Sequence, residues 1–544
     1  MSSHPRFSVV TPVFRPPAEV LRETIASVRA QAFADWELCL VDDASRSPEV
    51  TAVLDEAANA DGRVRVSYRS ENGGIVAATN DALAMAKGEF VAFLDHDDLL
   101  DPRALAEVAA AIDEHPDVDY VYTDEDKVDE GGRQFDPFFK PDWSIDRLRG
   151  QMYTCHLSVV RRSLVEELGG LRDGFDGSQD YDLVLRVTER ARRIVHVRKV
   201  LYHWRALASS AASGGDAKPY AYQAGQRAIA DHLRRVGFPA EPEHDETNPG
   251  VYRLLPRLDE QPLVSILIPT RGTHRLVHGR DIDLVSNCVR SIVEHSTYQN
   301  WELICVADLP TPESTLDELR SLAGDRLRVV PFPRPFNFSD KINVGAIEAE
   351  GDFLLLLNDD TEVIAPSWIE SMVMFGLDPG VGSVGGRLRF ADGRIQHVAI
   401  VGRNGCPYHP FYGFPPDFRG HFSSVEVPGD YLALTGACLL VRRSTFFEVG
   451  GFSPLFPYNF NDVDFCLKLH HAGLRNVYSP GAELYHYESS TRPPVVEQPE
   501  IELMQSRWGS VMWDDPFYNP RFREVSEHYL YRVVSSEYAL ARPA

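Results

Sequence analysis

Two acidic turns stand at matching places in this chain. The first is "LDHDDLL" (94–100), where the apolar run from Phe90 to Leu94 ends in Asp95, His96, Asp97 and Asp98. The second is "LLLLNDDTEVI" (354–364), which offers Asn358, Asp359 and Asp360. Like charges this close repel each other and lose hydration when packed, so something must compensate them. Carboxylates two positions apart at a strand end suit a hard divalent cation shared with phosphate oxygens. The plainer alternative is a solvated turn. An EF-hand fits poorly: counted from Asp95, position 6 is Leu100 rather than Gly, and position 12 is Ala106 rather than Glu. Asp101 has a structural explanation, as the N-cap of a helix opened by Pro102.

The elements that carry these turns alternate. "FSVVTPVF" (7–14), "ELCLVDD" (37–43), "RVRVSY" (63–68) and "EFVAFLD" (89–95) read as strands. "LRETIASVRAQAF" (21–33) and "AATNDALAMAKG" (77–88) have helical spacing, with Gly88 a C-cap. Short connections between them predict a doubly wound, mostly parallel α/β sheet. Ligands of such sheets sit beyond the carboxyl ends of the strands. Asp43 and Asp95 both lie at such ends.

The pattern then returns in order. "LVSILIPT" (263–270) matches the first strand and "NWELICVAD" (300–308) the second. "GDFLLLLNDD" (351–360) matches "GEFVAFLDHD" (88–97), "FNDVDFCLKL" (460–469) matches "SQDYDLVLRV" (178–187), and "AELYHYE" (482–488) matches "KVLYHWR" (199–205). A repeat of about 240 residues is a tandem domain duplication, not a solenoid. The expected division is a first domain over 1–240, a polar linker over 241–260, a second domain over 261–495 and an extension over 496–544, packed on the second domain. The segment "DEDKVDEGGRQFDPFFKPDW" (124–143) has no close counterpart in "RLRFADGRIQHVAIVGRNG" (387–405).

A net charge of −25 disfavours nucleic-acid partners. No stretch approaches the roughly 18 apolar residues of a membrane span, and the N-terminus lacks a signal-peptide core. A cytoplasmic protein is expected. The seven cysteines are scattered without a CxxC pair, which argues for buried free thiols and against a zinc site.

Together, "SVVTP", "VDDAS", "LDHDD", "QDYD" and "LYHWR", with "LLLLNDDTEVI", "TGACLLVRRSTFFEVGGF", "FNDVDFCLKL" and "ELYHYES", resemble bacterial family 2 glycosyltransferases of the GT-A fold. The resemblance runs from about residue 7 to 490 and extends to tandem-domain transferases of O-antigen, rhamnose-containing and related surface polysaccharides. It implies two GT-A domains that move sugars from nucleotide-diphosphate sugars to a glycan or lipid-linked glycan acceptor. A lipid-linked acceptor is compatible with peripheral contact at the inner face of the plasma membrane. Asp180 and Asp462 are implied as bases, with helix N-capping the plainer role. Asp95, Asp97 and His203, and in the second half Asn358, Asp360 and His486, are implied as ligands of Mn²⁺ or Mg²⁺. Thr11, Asp43, Asp95, Thr270, Asp308, Asn358 and Asp359 are implied at the nucleotide sugar. Displacement by a single base inverts the anomeric centre, unlike the two-carboxylate route of retaining glycosidases. The competing reading keeps one active domain and makes the other a carbohydrate-binding or scaffold domain. A pyrophosphorylase would need a basic, glycine-rich loop that "TPVFRPPAEV" does not supply.

Overall fold

The computed structural model describes residues 4–206, 219–487, 496 and 498–523. Among these, a nine-stranded sheet belongs to the first half and a ten-stranded sheet to the second. In the first, the strands Val64–Tyr68, Trp36–Asp42, Phe7–Val13 and Phe90–Phe93 lie side by side, all parallel. Ser158–Arg161 follows antiparallel, then Tyr120–Val128, Ile194–Arg205 and Leu99–Leu100. The second half repeats this order with Leu327–Phe332, Trp301–Asp308, Val264–Thr270, Phe353–Leu357, Cys438–Arg442, Val381–Arg389, Arg475–His486 and Thr361–Val363. Strands such as Trp36–Asp42 are buried throughout, as helices on both faces require. The chain order reverses between Phe7–Val13 and Phe90–Phe93, and Asp95 lies just past that switch point, where ligands bind in such sheets.

The duplication extends to single hydrogen bonds. Ser8 Oγ donates to Glu37 and accepts from Gly88 N; Ser265 Oγ does the same with Glu302 and Gly351 N. Asn80 clamps the backbone of Leu171, and Asn343 clamps that of Phe452. These contacts give Gly88 a role other than the expected C-cap. Its helix, Gly74–Met85, has already ended, and a Cβ at Gly88 would stand 2.5 Å from Ser8 N. The helix after the first acidic turn, Ala104–Glu114, starts later than Asp101 predicts. The Asp101 carboxylate instead accepts from Arg103 N and pairs with the Arg103 guanidinium.

The segment read as a linker folds into an antiparallel hairpin, Ala240–His244 with Tyr252–Pro256. One buried apolar cluster runs through both halves, from Tyr120 and Leu148 to Phe353 and Trp368. The helix Gln498–Trp513 packs on the second half, but the chain after it also reaches the first. Asn519 donates to Asp124 Oδ2 and Lys140 O, and Asp514 pairs with Arg198. Residues 1–3, 207–218, 488–495, 497 and 524–544, which fall within the expected domains and extension, lie outside the described residues.

Candidate active sites

In the first half the acidic turn is partly compensated by the protein itself. Asp98 is buried and accepts from Tyr202 Oη at 2.6 Å and Arg205 N at 2.8 Å, and Arg205 Nε also binds the Asp97 carbonyl. Asp98 thus anchors the turn. Burial, with Asp95 and Asp97 adding to it, holds its carboxyl well above the usual range. Burial also raises Asp97, with Asp95 reinforcing and His96 opposing. Asp95 keeps a side chain 46% exposed, so it remains open to a ligand. Asp95 and Asp97 therefore suit a divalent cation.

His203 does not join them. It stands opposite Leu99 in the ladder, but its Nδ1 lies 2.6 Å from Asp126 Oδ1, with Gln134 Nε2 at 3.2 Å. Among the described contacts no ion pair links it to Asp95 or Asp97. The reason is register: Asp126, on Tyr120–Val128, lies directly beside His203.

A different histidine occupies the space near Asp95. His156 stacks on Tyr202 at 4.7 Å, its Nε2 lies 3.9 Å from Asp95 Oδ2, and its Nδ1 3.7 Å from Glu125. Burial opposes its charge, but Glu125, Asp95 and Asp98 outweigh that and push it up to about 9. The surrounding carboxylates thus favour its imidazolium form. Buried Lys140 fixes the segment by donating to Glu125 and to the carbonyls of Cys155 and His156. Asp180, half-buried, has its carboxyl raised by burial, with His156 pulling the other way. Cys155, His156 and Asp180 bring potential ligand atoms within 4.8 Å of one another. Burial raises the Cys155 thiol well above its usual range, so it is a poor metal ligand. The second acid of the motif, Asp182, is fully buried between Arg172 and Arg186 and is structural.

The second half does assemble the expected set. His486 Nε2 lies 3.1 Å from Asp360 Oδ1 and 3.2 Å from Asn358 Nδ2. Its Nδ1 lies 2.8 Å from Gln396 Oε1, so Nδ1 carries the proton and Nε2 offers its lone pair to the site. An amide flip of Asn358 would present Oδ1 instead. Asp359 accepts from Thr270 Oγ1 at 2.6 Å, and burial, reinforced by Asp360, pushes its carboxyl up to about 7. The donor set fits a divalent cation. Asp462 accepts from Gly436 N at 2.9 Å, while Asn358 N binds the carbonyl of adjacent Ala437. One loop thereby ties the candidate base to the acidic turn. Ala437 stands where the first half has His156, so this half lacks the imidazolium.

The strand-end residues differ between halves. Asp43 accepts from Asn72 Nδ2 and from the backbone N–H groups of Gly73 and Gly74, each at 2.8 Å, and pairs with Arg69. It clamps the Gly-rich turn, and Gly74 needs its freedom there at φ 82°. Asp308 instead pairs at 3.0 Å with Lys341, a buried lysine that also binds the Thr270 carbonyl. Thr11 is fully buried and its Oγ1 has no partner, unlike Thr270.

Sequence reasoning missed His156, Glu125, Lys140 and the two glutamines. The glutamines carried a signal: "GRQ" (132–134) and "GRIQ" (393–396) are counterparts in the segments expected to have none. Both form hairpins that bring a glutamine to the strand-end histidine.

Comparison with known proteins agrees with this doubled arrangement. The family model described as "Glycosyl transferase family 2" matches residues 8–169 and again 265–445. The chain is 44% identical over 533 residues to "Uncharacterized protein y4gI" of Sinorhizobium fredii, covering 96% of this chain and 58% of that protein. It is 38% identical over 528 residues to "O-antigen biosynthesis protein RfbC" of Myxococcus xanthus, covering 96% of this chain and 40% of that one. The chain thus spans less than two thirds of either relative. Solved structures similar to part of it include S. aureus TarS 1-349 in complex with UDP-GlcNAc, at 24% identity and TM-score 0.35 over 42% of this chain and 66% of that one. Another is the mannosyltransferase PcManGT of Pyrobaculum calidifontis with GDP-Man and Mn²⁺, at 20% and 0.31 over 43% and 76%. Matched once over each half, the chain belongs to glycosyl transferase family 2.

Proposed function

We propose that each half is an inverting transfer centre, moving a sugar from a nucleoside-diphosphate sugar to a hydroxyl of a growing surface polysaccharide or glycolipid. The observation that carries this reading is the repeated placing of a half-buried aspartate, Asp180 or Asp462, at a helix start beside the acidic turn. In each centre the aspartate takes the acceptor hydroxyl proton as that oxygen attacks the anomeric carbon. The bond from that carbon to the diphosphate oxygen breaks on the opposite face, and the nucleoside diphosphate leaves. Asp95 and Asp97, and Asn358, Asp360 and His486, would hold Mn²⁺ or Mg²⁺, which supplies neutralisation of the charge on the departing diphosphate. His156 adds a fixed positive charge in the first half only. The relative concerned with O-antigen biosynthesis supports the polysaccharide direction.

The test is product analysis by mass spectrometry with a set of UDP-, GDP- and dTDP-sugars. Asp180→Asn should block one linkage and Asp462→Asn another, each by roughly a hundred- to ten-thousand-fold. Release of nucleoside diphosphate rather than pyrophosphate separates transfer from nucleotidyl chemistry. If Asp462→Asn yields the wild-type glycan at the wild-type rate, the second half is a binding or scaffold domain. The neutral Asn358, standing where the first half has Asp95, favours that alternative.

A further inference from the structure

The first centre is braced from outside its own half. Lys140 is fully buried, which a lysine tolerates only when its hydrogens meet acceptors. Its Nζ lies 3.2 Å from Glu125 Oε2, 3.0 Å from the Cys155 carbonyl and 2.8 Å from the His156 carbonyl. Glu125 closes the ring by accepting from His156 N. The imidazole fixed in this way has Nε2 3.9 Å from Asp95 Oδ2, and a ring nitrogen within 4.8 Å of an Asp180 carboxylate oxygen. A shift of Lys140 therefore moves His156 against both the acidic turn and the candidate base.

Lys140 is held in turn by remote parts of the chain. Asn519, buried in the stretch after the helix Gln498–Trp513, donates from Nδ2 to Lys140 O at 3.0 Å and to Asp124 Oδ2 at 2.9 Å. Asp124 Oδ1 accepts from Lys140 N at 2.9 Å. One amide and one carboxylate thus fix both backbone groups of Lys140. One residue earlier, Phe139 N donates to His421 Nε2 at 3.1 Å, and the Phe138 ring lies flat on Phe422, 3.9 Å away and 4° from parallel. Phe522 meets Phe139 and His421 edge-on, at 5.6 and 5.0 Å. Residues 138–140 are gripped between a loop of the second half and the C-terminal stretch. The second centre has nothing to brace in this way, because Ala437 stands in the place of His156.

We propose that the second half and the stretch after its last helix complete the first transfer centre, with His421 and Asn519 as positioning residues that act through Lys140 on His156. This rests on the first half being a transfer centre and adds that it does not set its own geometry. An ordinary contact between halves would alter stability alone. These contacts end on the backbone of the residue that holds His156, so their loss reaches the chemistry of one centre and not the other.

The test follows two linkages made by the full chain, the one lost in Asp180→Asn and the one lost in Asp462→Asn. Asn519→Asp sets a carboxylate against Asp124 and the Lys140 carbonyl. It should lower kcat for the first linkage by roughly ten- to a hundredfold, with its donor KM and the second linkage unchanged. Adding Asp124→Asn returns a donor to the pair and should recover part of the loss. His421→Phe, which keeps a ring and removes the acceptor of Phe139 N, should act in the same direction. Hydrogen exchange read by mass spectrometry needs no activity: amides 153–157 should exchange roughly three- to tenfold faster in Asn519→Asp, and those of the second acidic turn at the wild-type rate. A wild-type chain that forms no Asp180-dependent linkage rejects the transfer reading, while faster exchange at 153–157 still supports the brace. The proposal is overturned if that exchange is unchanged, if both linkages fall together, or if the melting temperature drops while the first linkage keeps its wild-type kcat.

Discussion

Two histidines look equivalent in sequence and are not equivalent in space. Each follows "LY" at the end of a long strand, yet His486 faces Asp360 while His203 is taken by Asp126. In the second half Arg387 lies opposite Glu483 and Arg389 opposite Tyr485, so this strand sets no acid alongside His486, and Gln396 accepts from its Nδ1 instead. Metal binding should follow this difference. With free Mn²⁺ followed by electron paramagnetic resonance, His486→Ala should weaken one binding step by roughly 10- to 100-fold, and Asp360→Asn should weaken the same step. His203→Ala should cost less than Asp97→Asn, because it acts through Asp126 and Gln134 and not on the ion. Equal losses for His203→Ala and Asp97→Asn would make His203 a direct ligand and refute the asymmetry. The residue types were legible from spacing, since both acidic turns and both candidate bases lie where the repeat put them. His156 was not, because its partners Glu125, Lys140 and Asp95 come from three separate segments and meet only through sheet pairing.

At the scale of elements, the parallel strands of each half and their α/β class could be read from apolar runs, because parallel strands buried on two faces leave an unbroken signal. Two reaches of backbone could not. Gly88 looks like a helix end from its neighbours but is required by Ser8, 80 residues away. The C-terminal helix looks like an appendage of one half, yet the stretch after it is tied to both. Asp515 is the hinge of that stretch: it is buried and accepts from Gly402 N at 2.7 Å and Phe517 N at 2.8 Å. Burial outweighs these bonds and pushes its carboxyl up to about 7. A raised carboxyl favours the folded state fully below its unfolded value near 3.9, and that contribution is lost as pH rises through about 7. The loss is bounded at about 4 kcal/mol from a shift of some three units. Asp515→Asn cannot ionise but accepts only one of the two bonds. Its melting temperature should therefore lie below wild type at pH 5, and the gap should narrow by pH 8. A gap that widens with pH would show that the carboxylate is stabilised as an anion.

At the scale of the molecule, the halves are joined by charge as well as by apolar packing. Arg475, from the second half, binds buried Asp146 of the first, Asp430 at 3.1 Å and Asp378 at 2.8 Å. Asp146 also has Arg149 at 2.7 Å. The two aspartates respond differently. Burial alone would raise both, but Arg475 and Arg149 hold Asp146 below its usual value, whereas Asp430 is pushed up to about 6. One guanidinium thus serves three carboxylates, and the first half has a claim on it through Asp146. Removing one partner of a buried pair costs about 3–5 kcal/mol, because the other charge stays buried and unpaired. Arg475→Met should lower the urea midpoint of the whole chain. It should also separate the unfolding of the halves, seen as fluorescence and circular dichroism transitions that no longer coincide. Adding Asp430→Asn should recover part of the loss by removing the carboxylate left without a counter-ion, and the non-additivity of the pair measures their coupling. A single, coincident transition at the wild-type midpoint in Arg475→Met would mean that apolar contact alone, from Leu148 and Tyr153 across to Trp368 and Phe375, holds the two halves in register.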